Sequence, residues 1–157
     1  MIRHEDATGE ASRALFAEYM ELVRERLGDA FVPSEQIFAT EDDFDGAGAA
    51  WLVLYEGDVA VACGGLRPLA PGVAEIKRMF VTASARGRGH ARTLLAELER
   101  LAAEAGCERA RLYTTHVLRE ARALYSACGY RPVGVAAIDG RMDLWLEKQI
   151  TPDPDPA

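Results

Sequence analysis

Apolar residues first recur at helical spacing after Thr8, where Ala14, Leu15, Tyr19, Leu22, Val23 and Leu27 share one face and Gly28 stands ready to end the run. The pattern predicts an amphipathic helix, preceded by a short edge strand within residues 1–7. Beyond Pro33, Ser34 is a fair N-cap for a second, shorter helix through Ile37 and Phe38, which gives way to the acidic loop from Glu41 to Gly46. From Trp51 the texture becomes that of strands. Trp51–Tyr55, Val59–Pro68 and Val73–Val81 are separated by turns at Glu56-Gly57-Asp58 and Ala70-Pro71-Gly72, which predicts an antiparallel meander.

Helical spacing returns in Ala91, Leu94, Leu95, Leu98, Leu101, Ala102 and Ala105, closed by Gly106, and a strand follows over Arg109–Thr115. Strand, loop, helix and strand form a crossover unit. A further helix over Arg119–Cys128 buries Ala121, Leu124, Tyr125 and Cys128 ahead of Gly129, and two strands fall near Tyr130–Ala136 and Arg141–Glu147. Residues 151–157, alternating Pro and Asp, support neither helix nor ladder. The expectation is one domain over 1–148 and a disordered tail over 149–157.

A chain of 157 residues, 49% of them hydrophobic, is long enough to bury a real core in a single domain. Its longest apolar run, Ala47–Tyr55, is far short of a membrane span, and the acid-containing start does not resemble a secretion signal, so a cytoplasmic protein with no membrane partner is expected. Cys63, Cys107 and Cys128 are odd in number and sit in apolar surroundings, which favours buried thiols over disulfides. With His4, His90 and His116 they show no ligand spacing, so no metal is expected. The net charge of −7 is unevenly spread: residues 1–58 carry 14 acids and 4 basic residues, a net of −10, leaving 11 acids and 14 basic residues, a net of +3, for 59–157. That segregation suits an anionic ligand on one side of a cleft and a cationic one on the other. An acidic chain without a basic stripe interleaved with aromatics is unsuited to nucleic acid.

Between the strand ending at Val81 and the long helix lies Arg86-Gly87-Arg88-Gly89-His90-Ala91. Two glycines let a ligand approach the backbone, and the helix start beyond them offers unpaired N–H groups at the positive end of its dipole, an arrangement suited to phosphate. A P-loop would require Lys and Ser or Thr after Gly89, where His90 and Ala91 stand. A dinucleotide fingerprint opening at Gly87 would require a glycine where Arg92 stands.

Arg86, Gly89 and Ala91 match the pattern Arg/Gln-x-x-Gly-x-Gly/Ala, five residues after the strand-ending Val81, and Leu124, Tyr125, Gly129 and Tyr130 match Leu-Tyr-x-x-x-Gly-aromatic. In this order and spacing the two motifs resemble those of the GNAT N-acetyltransferases. The resemblance covers residues 1 to about 148. It implies an α/β (α+β) fold whose mixed, mostly antiparallel sheet of six to seven strands splays at two central parallel strands and is flanked by about four helices. It further implies acetyl-CoA as co-substrate, an amine acceptor that is a small molecule, a peptide N-terminus or a lysine, direct attack in a ternary complex, and a possible homodimer. Where many members carry an Asn three residues before the helix alanine, this chain has Leu118.

By the same resemblance the pyrophosphate would lie on the backbone of Gly87, Arg88, Gly89, His90 and Ala91, with Arg86 and Arg88 adding positive charge. The pantetheine arm would pair with Met79, Phe80 and Val81 as an added strand. Direct attack needs a base, because a primary amine with a pKa near 10 is mostly protonated at neutral pH. Glu75 occupies the corresponding position, since Ala74-Glu75-Ile76 resembles the base-bearing strand of GNAT histone acetyltransferases. Tyr125 is the candidate general acid for the departing thiolate, and Thr114 and Thr115 end the opposite strand. The alternatives are a non-catalytic acyl-CoA-binding module and a nucleotide-binding domain using the same loop.

Overall fold

The computed structural model describes residues 1–28, 41–114, 119–138 and 141–151. The expected helix through Ile37 and Phe38, together with Thr115, His116 and Leu118, lies outside them. Among the described residues, seven strands form one sheet in the order β1-β2-β3-β4-β5-β7-β6: β1 (Ile2–His4), β2 (Ala50–Glu56), β3 (Val59–Ala70), β4 (Val73–Val81), β5 (Arg109–Thr114), β6 (Arg131–Ile138) and β7 (Arg141–Gln149). Among the described residues, the helices are α1 (Glu10–Leu27), α2 (His90–Glu104) and α3 (Arg119–Ala127), with 3₁₀ turns at Glu41–Phe44 and Ala83–Ala85.

The uninterrupted apolar run of β2 reflects burial on both faces. Leu52 and Leu54 join Leu66 and Ile76 beneath Leu94, Leu95 and Leu98 of α2, whereas Trp51, Val53 and Tyr55 join Cys63 and Phe80 beneath Leu15, Tyr19 and Leu22 of α1. Trp51 is the largest side chain of the second layer, and its indole N–H is satisfied by donating to the buried Ser12 hydroxyl at 2.8 Å. At the other end of the chain, Ile150 donates its N–H to Glu108 and packs on the core, so contacts with the fold continue past residue 148.

Two features of β4 interrupt the regular sheet. The β3–β4 register passes from Gly65 opposite Lys77 to Cys63 opposite Phe80, three steps on β4 against two on β3. This bulge takes up its extra residue at Arg78, whose φ of 57° is unusual for a residue with a side chain, and the Arg78 guanidinium lies over the Phe16 ring at 4.1 Å. Gly64 faces the bulge because a Cβ there would lie 2.6 Å from the Met79 sulfur and 3.0 Å from Leu98. The second feature is the parallel ladder with β5, which pairs only Val73–Ile76 with Arg109–Leu112. Among the described residues, β4 has no ladder on that side from Lys77 onward. The two parallel strands splay, leaving β4 beyond Ile76 an unladdered edge on that side, beside which an extended guest can lie.

Candidate active site

The splay opens into a cleft of about 400 Å³. Met79, Phe80 and Val81 form its β4 wall; Arg86, Gly87, Gly89, His90, Ala91 and Arg92 supply the loop and first turn of α2; Ala121, Leu124 and Tyr125 come from α3. The loop turns because Gly87 and Gly89 sit at φ 79° and 81°, a conformation that costs an L side chain about 1–2 kcal/mol, and Gly89 is the N-cap of α2. No side chain caps that helix and no acid stands in its first turn. Its leading N–H groups and dipole are therefore left for an external anion, while Thr93 secures the turn by donating its hydroxyl proton to the Gly89 carbonyl at 3.0 Å.

The two arginines of the loop do different things. Arg86 lines the cleft, donates Nε–H to the last β4 carbonyl, that of Val81, at 3.2 Å, and holds its guanidinium 5.9 Å from the Phe80 ring. Arg88 turns away. It reaches Glu56 at the end of β2, with Nη1 2.5 Å and 2.7 Å from the two carboxylate oxygens, and is absent from the cleft wall. His90 meets the same carboxylate at 2.5 Å. Glu56 thus ties the loop to the β2–β3 hairpin, and His90 and Arg88 hold its carboxyl below the usual carboxylate range. One acid of the negative first half consequently stands beside the anion loop, on the side where the charge pattern called for cations.

The structure brings Met79, Phe80, Val81, Arg86, Gly87, Gly89, His90, Ala91 and Tyr125 to one cleft and leaves Glu75 out of its wall. Glu75 is 1% exposed, and its Oε1 receives Arg67 at 2.9 Å and Lys77 at 3.4 Å; Arg67 also reaches Asp43 at 3.0 Å. Burial lowers the pKa of Lys77, a cost its pairing with Glu75 offsets in part. Tyr125 is buried with its ring edge-on to Tyr130 at 5.9 Å, and burial, with Tyr19 close by, raises its pKa. Its proton therefore stays on at neutral pH. Thr114 is buried at the end of β5.

Residues 13–130 match the Acetyltransferase (GNAT) family. The chain belongs to that family. An uncharacterized N-acetyltransferase of Escherichia coli K12, YjgM, is 37% identical over 91 residues, which are 56% of this chain and 54% of the relative, so the match spans about half of each. A GNAT-family acetyltransferase from Staphylococcus aureus Mu50 superposes with a TM-score of 0.77 at 15% identity, over 96% of this chain and 100% of that one. An aminoglycoside 6′-N-acetyltransferase solved with coenzyme A gives a TM-score of 0.74 at 19% identity, over 99% of both chains. These two likenesses show that the GNAT fold extends well beyond the family match.

The GNAT family uses acetyl-CoA, and the cleft fits it. A Cβ at Gly87 or Gly89 would meet nothing within 4 Å, so the space beside each is open, and the unladdered edge of β4 leads away from it. Three cleft residues carried no sequence signal. Tyr19, Leu22 and Arg26 stand at i, i+3 and i+7 on one face of α1, which reads as an ordinary core stripe until the sheet places it beside Phe80. Glu120 likewise enters through its partner Arg26, which also lines the cleft, binds it at 2.7 Å and 3.0 Å and pulls its pKa down to about 2.

Proposed function

We propose that this GNAT protein transfers an acetyl group from acetyl-CoA to a primary amine by direct attack in a ternary complex, acting in the cytoplasm. The observation that carries the reading is the convergence of the unladdered β4 edge at Lys77–Val81 with the glycine loop and the uncapped start of α2 on a single cleft. Acetyl-CoA, when bound, supplies the acetyl group as a thioester. The chain supplies the rest. Amides of Gly87–Ala91 hold the phosphates, with Arg86 beside them, and the backbone of Met79–Val81 aligns the arm. An N–H near Phe80 or Val81 faces the thioester oxygen, and Tyr125 holds the proton that the leaving sulfur takes. Arg88 acts through Glu56 as a strut for the loop rather than as a phosphate ligand.

The test combines binding and turnover. CoA and acetyl-CoA are expected to raise Tm with concentration while ATP and NAD do not, because only a ligand that binds the folded state stabilises it. Free thiol is expected to appear from acetyl-CoA when a primary amine is added. Stabilisation by CoA without transfer to any amine would make the protein a binding module, and stabilisation by ATP or NAD instead of CoA would make it a nucleotide-binding domain.

Glu75 completes the proposal as the acceptor of the amine's proton through water, since its carboxylate stands off the cleft wall and is held by Arg67 and Lys77. Glu75→Gln is expected to lower kcat by roughly 10²-fold, the scale of general base catalysis, with the Kd for CoA unchanged. A variant with a lowered Tm and full kcat would make Glu75 a counter-ion only.

A further inference from the structure

Two tyrosines line the cleft from opposite layers of the sheet, Tyr125 from α3 and Tyr19 from α1. The ring of Tyr19 rests against Phe80, centroids 5.7 Å apart, two residues past the β4 bulge at Arg78, where the open strand edge would align an acyl arm. No described residue forms a hydrogen bond with the hydroxyl of either tyrosine. Tyr55, packed in the same layer as Tyr19, differs: its hydroxyl donates to Glu5 at 2.5 Å. A hydroxyl with no hydrogen-bond partner among the described residues, on a side chain that lines a cleft, is available to a ligand, and leaving it unmet would be costly.

We propose that Tyr19 positions the acceptor amine, its hydroxyl oxygen accepting one N–H so that the nitrogen lone pair is directed at the acyl carbon held beside Phe80 and Val81. The inference rests on the acetyl-transfer reading above. Tyr125 occupies the α3 side, where the sulfur would leave, so the side covered by α1 is left for the nucleophile. Burial raises the Tyr19 pKa to about 12, so the hydroxyl stays neutral at working pH and serves as a hydrogen-bonding group rather than a base. Tyr19 keeps its own proton throughout: the one shed by nitrogen leaves through water towards Glu75, and the one gained by sulfur comes from Tyr125. Leu22 and Phe80 pack beside Tyr19, with Arg26 further along the same face of α1 and the Arg78 charge within electrostatic reach, so the hydroxyl is a neutral polar group on this side of the acyl position.

Tyr19→Phe keeps the ring on Phe80 and removes only the oxygen. Spermidine, tyramine, kanamycin and a peptide with a free N-terminus serve as acceptors, and the one with the highest kcat/KM is carried forward. With it, Tyr19→Phe is expected to lower kcat/KM for the amine about tenfold, the value of one hydrogen bond, while Tm and the calorimetric Kd for CoA stay within twofold. In the non-reacting complex with CoA, the Kd of the same amine is expected to rise about tenfold as well. Unchanged amine kinetics and amine Kd in a folded Tyr19→Phe protein overturn the inference and leave the acetyl-transfer reading standing, as does a loss confined to CoA affinity. Failure of the wild-type protein to bind CoA or to acetylate any of the four overturns both.

Discussion

Gly89→Val is expected to raise the Kd for CoA by at least about 100-fold while the protein remains folded. Gly89 is the N-cap of α2 at φ 81°, lines the cleft, and has nothing within 4 Å of the position a Cβ would take. A Cβ there enters open space, so the branched side chain of a valine projects into the space proposed for the pyrophosphate. It also strains the turn that aims the α2 amides. Losing two charge-assisted hydrogen bonds of about 1.5–3 kcal/mol each accounts for a loss of that size. Strain at positive φ adds about 1–2 kcal/mol against the fold, a few degrees of Tm for a chain of this length. Gly72→Val separates the two effects. Gly72 has φ 74° and equally open space, but it lies in the β3–β4 turn away from the cleft, so it should lose similar stability and keep CoA affinity. Calorimetric titration of both variants with CoA makes the comparison, and equal affinities in the two would remove the loop from the site.

The contrast between these glycines marks what local sequence could and could not show. The loop, the helix after it and the flanking strands were legible because each is written in adjacent residues: a turn signal, a period near 3.6, a run of alternating or doubly buried apolar positions. β4 occupies the span expected for it, Val73–Val81, and α2 ends within a residue of expectation. Where a motif pointed to them, Gly89 and Tyr125 do line one cleft.

Pairings set by register were not legible. Arg88 meets Glu56 across 32 residues, and Arg67 meets Glu75 across eight only because the β3–β4 turn and its irregular ladder set them opposite each other. Nothing local to Ala74-Glu75-Ile76 showed that the candidate base is a buried carboxylate with two cationic partners. The bulge at Arg78 was hidden for a related reason. Lys77-Arg78-Met79 reads as part of a continuous strand, and only the count of partners on β3 reveals one residue too many. That bulge brings Phe80 into the α1 layer, and with it Tyr19 into the cleft.

Tyr125→Phe is expected to lower kcat about 10²-fold with the Kd for CoA within twofold of wild type, because the hydroxyl acts only as the carbon–sulfur bond breaks. The ring is retained, so its edge-on contact with Tyr130 at 5.9 Å and its place in the core persist, and Tm should change little. Desolvation disfavours the phenolate, so Tyr125 stays protonated through the neutral range and keeps its proton available for the departing thiolate. Tyr19→Phe predicts the opposite division, with weaker amine binding and a milder loss, since it removes a contact already made before bond breaking. The two variants can be compared under single-turnover conditions with one acceptor, where product release does not mask chemistry. A full kcat in folded Tyr125→Phe under those conditions would return Tyr125 to the core and leave the sulfur to take its proton from water.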